Sequence, residues 1–213
     1  MSVLDEISQA LQKGNARLVA EKTQEALNSG IEPGKVLSDG LIAGMNIIGV
    51  KFKNGDIYVP EVMMSAKAMG MGMNVLKPKL EETGVRPFGK VVLGTVKGDL
   101  HDIGKNLVGM MMAGSGLEVI DLGKDVSSEK FVNAVKEHNP DVVALSALLT
   151  TTMPEQKKVI DALKEAGLRD KVIVMVGGAP VTDSYAKEIG ADAYTPDAAT
   201  AAEKAKSFIL DRR

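Results

Sequence analysis

The sequence predicts a two-part α/β protein, a bundle of four helices followed by a doubly wound, five-stranded parallel sheet. Three observations carry that expectation. Up to about residue 80, apolar residues recur only at helical spacing. From about residue 90, short β-branched runs alternate with helical patterns. Between them, residues 77–89 (KPKLEETGVRPFG) hold two prolines and two glycines among mixed charges, the composition of a domain boundary. The expected domains are 1–83 and 84–213.

In the first part, Val3, Leu4, Ile7 and Leu11 mark one helical face. Asn15 suits the N-cap of a second helix, and Gly30 its C-terminal stop. Pro33 fits the first turn of a third helix carrying Val36, Leu37, Leu41, Ile42, Met45 and Ile48, which Asn54-Gly55-Asp56 ends. Pro60 fits the first turn of a fourth, with Val62, Ala66, Met69, Met73 and Leu76 on one face. Its methionines read as a core stripe. In the second part, strands are expected at 90–96, 117–122, 141–145, 171–176 and 192–194. Helices are expected at 104–114, 127–137, 153–166, 182–189 and 197–211. Five such units fit the strand order 2-1-3-4-5, which places a ligand crevice at the carboxyl ends of strands 1 and 3.

Composition removes several function classes. With 213 residues, 26 Lys+Arg against 28 Asp+Glu and a net charge of -2, the chain lacks the basic excess of a nucleic-acid binder. Cys is absent, which excludes disulfides, iron–sulfur clusters and zinc ribbons. The two histidines, His101 and His138, are too few for an all-protein zinc site. Aromatic residues make up 3%, too few to favour flavin sandwiches or stacked single strands. No run reaches the ~18 apolar residues of a membrane span, and no signal-peptide pattern opens the chain. A cytoplasmic protein is the expectation.

The candidate site gathers at the strand ends. After strand 1 comes Gly98-Asp99-Leu100-His101-Asp102-Ile103-Gly104. In an extended loop, Asp99 and His101 face the same side. A carboxylate on one imidazole nitrogen fixes the tautomer and leaves the other as ligand or base. Gly104 opens the next helix and permits close approach of a large ligand. After strand 3 come Ser146, Leu148, Thr150 and Thr152, after strand 4 Gly177 and Gly178, and after strand 5 Thr195, Pro196 and Asp197. His138 sits at a polar helix end and reads as a solvated residue. Asp and His without a Ser or Cys nucleophile form no hydrolase triad. A lone histidine holds a transition metal when other ligands come with the metal, as in a macrocycle. The pattern therefore points to a tetrapyrrole-type cofactor, haem or corrinoid, with His101 axial, Asp99 behind it and Thr152 behind Asp99. The small residues Ser146, Gly177 and Gly178 leave a slot suited to a corrinoid's nucleotide tail.

Asp99-x-His101-x-x-Gly104, then Ser146-x-Leu148, then Gly177-Gly178 resembles the three-part signature of cobalamin-binding domains. The helical part, with Tyr58-Val59-Pro60-Glu61-Val62, resembles the helical cap of methionine synthase and of the small corrinoid proteins of anaerobic methyltransferase systems. The resemblance implies a cobalamin or related corrinoid bound base-off, with His101 as lower cobalt ligand, Asp99 tuning it and Thr152 extending a proton relay. It implies that Gly98, Leu100, Asp102, Ile103 and Gly104 lie against the corrin, and that Ser146, Leu148, Gly177 and Gly178 line the tail's path. Thr150 would contact the tail or the corrin rim, Thr195, Pro196 and Asp197 would close the far end, and Tyr58 and Met63 would meet the upper face beneath the helical cap. The implied role is a methyl carrier. A substrate-specific methyltransferase methylates Co(I) to methyl-Co(III), and a second methyltransferase passes the methyl to a thiol or tetrahydrofolate. A reductive activator protein would complete the set, and no nucleic acid or membrane would take part. Residues 77–89 would be the hinge. Methylamine, betaine, methanol or methoxyarene demethylation are the implied settings. A cobalamin-binding sensor or a mutase accessory module is the alternative.

Overall fold

The computed structural model describes residues 2–212. It divides into two compact units: the chain through Pro87 together with Ala113–Gly116, and Phe88–Met112 with the chain from Leu117 onward.

The first unit is helical: α1 (Val3–Gln12), α2 (Ala16–Asn28), α3 (Pro33–Lys35), α4 (Ala43–Lys53) and α5 (Val59–Glu82). Ser2 caps α1, its hydroxyl accepting from the Asp5 amide at 3.2 Å while the Asp5 carboxylate accepts from the Ser2 amide at 2.9 Å. Asn15 caps α2, as its position suggests. The expected third helix is one rod, but Val36–Ile42, between α3 and α4, winds as π-helix. Ile7, Leu11, Val19, Leu41, Met45, Ile48, Val62 and Leu76 form the core.

Two expectations change here. Residues 77–89 are not all linker, because α5 runs through Pro78 to Glu82. A proline inside a helix costs about 3 kcal/mol. Leu76 and Leu80, buried on either side of it, hold the turn in place. The methionine stripe is only partly core. Met69 is buried, whereas Met63, Met64 and Met71 are exposed.

The second unit alternates strand and helix. Its strands are β1 (Lys90–Thr95), β2 (Glu118–Asp121), β3 (Val142–Ser146), β4 (Ile173–Gly177) and β5 (Ala193–Tyr194). Its helices are α6 (Ile103–Gly114), α7 (Ser128–His138), α8 (Met153–Glu165), α9 (Asp183–Ile189) and α10 (Ala198–Asp211). The strands are all parallel, in the order β2-β1-β3-β4-β5. The order reverses between β1 and β3, where Thr95 lies beside Ser146 in register, and Ser146 beside Gly177. One register therefore lines up the three strand ends that the motifs occupy. Gln156 of α8 ties two of them, β3 and β4, together, donating 3.1 Å bonds to the carbonyls of Leu145 and Gly177.

Buried β-branched residues dominate the strands, as sheets covered on both faces require. Phe131 of α7 is fully buried against β1, and Gly94 makes room for it. A Cβ at position 94 would stand 2.7 Å from the tip of that ring. Gly94→Ala should therefore cost about 1–3 kcal/mol by overpacking. In urea titrations the Gly94→Ala, Phe131→Leu double variant should lose less than the sum of its singles. Strict additivity would show that ring and glycine do not share this space.

Candidate functional site

The site is built on the loops that follow β1 and β3. Asp99, in the first loop, is fully buried. Its two oxygens serve different loops. Oδ1 accepts from the His101 amide at 3.0 Å and lies 2.8 Å from His101 Nδ1. Oδ2 accepts from the Leu148 amide and the Thr152 hydroxyl, each at 2.7 Å. Burial pushes the Asp99 carboxyl up, but the bonds from Thr152, the His101 and Leu148 amides and the His101 ring outweigh it. They hold the group well below the usual carboxylate range. Asp99 is thus ionised and acts as acceptor, so the proton between it and His101 sits on Nδ1. In the neutral ring that leaves Nε2 with its lone pair.

The His101 side chain is 51% exposed, so Nε2 is available to a ligand. Thr152 occupies the N-cap position of α8 yet makes no capping bond with its side chain. Its hydroxyl turns to Asp99 instead, which decides against a plain helix cap. Around His101 the two loops and the first residue of α6 expose Leu100 (63%), Ile103 (76%), Leu148 (41%) and Leu149 (42%). Large apolar side chains exposed together in two adjoining loops signal a surface that something covers. A Cβ at Gly104 would meet nothing within 4 Å, so the face beside the rim is open. Among the described residues, no three His, Asp or Glu side chains converge to hold an ion. A ring with one free nitrogen, set in an apolar rim with an open flank, fits a flat macrocycle that brings its own metal.

Comparison with known proteins agrees. Residues 89–205 match the B12 binding domain model, and residues 3–77 match a second model described as a B12 binding domain. The chain belongs to the B12-binding family of corrinoid proteins. It is 44% identical to dimethylamine corrinoid protein 2 of Methanosarcina acetivorans, over 99% of this chain and 97% of that one. It is 41% identical to trimethylamine corrinoid protein 1 of the same organism, over 98% and 97%. Among solved structures it resembles the methanol:cobalamin methyltransferase complex MtaBC of Methanosarcina barkeri. That match has a TM-score of 0.87 and 34% identity, over 98% of this chain and 80% of that chain.

The other B12-domain residues singled out in the sequence divide by what they touch. Gly98 has a positive φ of 78°, and its amide donates to Asp125 Oδ1 at 2.7 Å. Ser146 ends β3, half-buried. Gly178, at φ 130°, lies so close to the next strand end that a Cβ would fall 1.8 Å from the Ala147 carbonyl oxygen. Backbone approach alone thus demands glycine there. Leu148 contributes its amide to Asp99 and exposes its side chain. Asp102 accepts from the Asn106 amide through its carbonyl, and Thr150 is exposed. Thr195 is buried and Pro196 exposed, while Asp197 spends both carboxylate oxygens on Thr200 as the cap of α10. Tyr58 and Met63 belong to the helical unit, where both are exposed. His138 lies in the last turn of α7.

Several residues escaped the motif search. Thr95 Oγ1, buried, donates to the His101 carbonyl at 2.9 Å. Leu149 completes the apolar rim. Lys105, buried in the first turn of α6, pairs with Asp121 at the end of β2. An apolar residue at a loop tip or a lysine after a glycine carries no local signal. Only the fold gives them neighbours.

The Asp99 contribution to stability has a definite sign. Its folded-state pKa lies below the unfolded value of about 3.9. The contribution is therefore complete above about pH 4 and is lost as pH falls toward the depressed folded value. Thr152→Val, in corrinoid-free protein, should cost about 1–3 kcal/mol at pH 7 by removing a donor from a buried charge. In denaturant titrations the gap from wild type should narrow only as the pH falls through the range where Asp99 of the folded variant, still held by its remaining donors, takes up a proton before that of wild type. A gap that stays constant would show that Thr152 acts by packing alone.

Proposed function

We propose that this corrinoid protein is a methyl carrier between two methyltransferases. The observation that carries the reading is the Asp99-held His101 ring, its Nε2 free inside an exposed apolar rim. A bound corrinoid supplies a cobalt that accepts and releases a methyl group. His101 would hold that cobalt through Nε2 from below, in place of the corrinoid's own base. Asp99 keeps the proton on Nδ1 and raises the donor strength of Nε2. Thr152 holds Asp99 in place and forms the outer step of a proton relay. Leu100, Ile103, Leu148 and Leu149 exclude water from the covered face, and Gly104 leaves its flank open. Ser146, Gly177 and Gly178 take the nucleotide tail, with Thr150, Thr195 and Pro196 beyond them.

The loading partner is a substrate-specific methyltransferase. The unloading partner passes the methyl to a thiol or tetrahydrofolate, and a reductive activator restores the carrier after oxidation. Relatives whose names specify dimethylamine and trimethylamine support this reading, as does the structural match within a methanol methyltransferase complex. That spread of methyl donors among relatives supports a donor choice made by the partner enzyme rather than by the carrier. Among the described residues, no helix is long and apolar enough to cross a membrane. The reading places the carrier in the cytoplasm with its partners.

Anaerobic loading with cobalamin followed by gel filtration tests this. Wild type should retain corrinoid stoichiometrically, and His101→Ala should shift its absorption spectrum or release it. Identical spectra from the two proteins at equal loading would remove His101 from the cobalt.

A further inference from the structure

The loop that carries Asp99 and His101 is not held by Asp99 alone. It is gripped from the side by the loop after β2. There Asp125 adopts a left-handed backbone, φ 55°, which a non-glycine residue rarely takes without a reason. Its carboxylate Oδ1 accepts from the Gly98 amide at 2.7 Å. Its own amide donates to the Asp99 carbonyl at 3.1 Å. One residue thus holds the Lys97–Gly98 and Asp99–Leu100 peptides, which flank the Gly98–Asp99 link of the His101 loop. The clamp is itself anchored. The Gly123 amide donates to Asp121 Oδ1 at 2.8 Å, and its carbonyl accepts from the Thr95 amide at 3.0 Å. The Val126 amide donates to the Thr95 carbonyl at 3.0 Å, closing the loop on β1 from both sides. Asp121 also receives the buried Lys105 ammonium from α6.

We propose that Asp125 is a positioning residue that fixes the direction in which His101 presents Nε2 to the cobalt. This rests on the reading of His101 as the lower axial ligand. Free, the Gly98 peptide would rotate about a glycine whose φ is unconstrained by a side chain. Rotation there swings Asp99, and with it the ring that Asp99 holds. The charged acceptor at Asp125 removes that freedom before any ligand arrives, which is the preorganisation that a precise ligand geometry needs. The left-handed backbone at position 125 is the strain tolerated for it.

Three variants separate the carboxylate from the backbone. Asp125→Asn keeps an oxygen acceptor and tolerates the left-handed conformation. Asp125→Gly tolerates the conformation but lacks the acceptor, and Asp125→Ala lacks both. In corrinoid-free protein, hydrogen exchange is read at the His101 and Leu148 amides, which bond Asp99 and not Asp125. Both should exchange about tenfold faster or more in Asp125→Gly and Asp125→Ala, and near the wild-type rate in Asp125→Asn. In cobalamin-loaded protein reduced to Co(II), the axial nitrogen splitting in the EPR spectrum is read with and without 15N-histidine. Wild type and Asp125→Asn should show a splitting that changes with the isotope. Asp125→Gly and Asp125→Ala should show it weakened or heterogeneous. Sharp wild-type splitting in all variants, with unchanged exchange, would overturn the positioning role and leave the axial histidine intact. A wild-type spectrum insensitive to 15N-histidine would instead overturn the axial reading itself, and the positioning role with it.

Discussion

A fully buried carboxylate is the constraint on which the rest of the site depends. Removing Asp99 from water is costly, and the cost is offset only while the charge keeps its donors. Those donors come from two loops separated by about fifty residues of sequence. Because one oxygen answers to the His101 side and the other to Leu148 and Thr152, the carboxylate cannot move without abandoning one set. The β1 and β3 loops are therefore locked to each other at the reversal point of the sheet. The sheet register makes this feasible, since Thr95 and Ser146 end side by side and start both loops from one level. The His101 ring is placed by the fold's topology first and by the carboxylate second.

The same logic explains how much could be read from the residues. Asp99-x-His101 is local chemistry, and an extended loop brings the two together by itself. Thr152 was legible as a member of the network because the topology puts the β3 loop opposite. Gly178 was legible as a place without a side chain, although the reason at the backbone is the Ala147 carbonyl rather than open space. What could not be read is what only tertiary contact creates. Asp125 looks like an ordinary turn aspartate until Gly98 arrives from another strand. Pro78 looks like a helix terminator until Leu76 and Leu80 are buried around it. Periodicity counts Met63, Met64 and Met71 as apolar but cannot say that the core is already filled by Val62, Met69 and Leu76. Nor does any local rule announce seven residues of π-helix at Val36–Ile42.

The exposed rim adds a thermodynamic point. Leu100, Ile103, Leu148 and Leu149 hold large apolar areas in water, which a chain selected for its own stability alone would avoid. Their loops are nonetheless well braced by Thr95, Asp99 and Asp125. Rigid loops with exposed leucine and isoleucine have already met the ordering cost of binding, so most of the hydrophobic gain on covering them is available as affinity. A site that must retain a bound corrinoid is served by that arrangement.

Thr152 then sets how firmly the proton stays on His101. Its oxygen lies 2.7 Å from Asp99 Oδ2 and 2.9 Å from the Leu149 carbonyl, and a hydroxyl has a single hydrogen to give. Pointed at Asp99, it deepens the acidity of the carboxyl and leaves the proton on His101 Nδ1. Pointed at Leu149, it withdraws one donor, and the carboxylate draws more strongly on that same proton. On the proposed reading of His101 as the cobalt ligand, the second state makes Nε2 the stronger donor. A rotation of one hydroxyl, with no backbone movement, would then adjust a nitrogen two residues removed from the carboxylate that holds it. Valine at this position would fill the space and lose the adjustment, whereas serine would keep the hydroxyl and lose only the methyl that restrains its rotation.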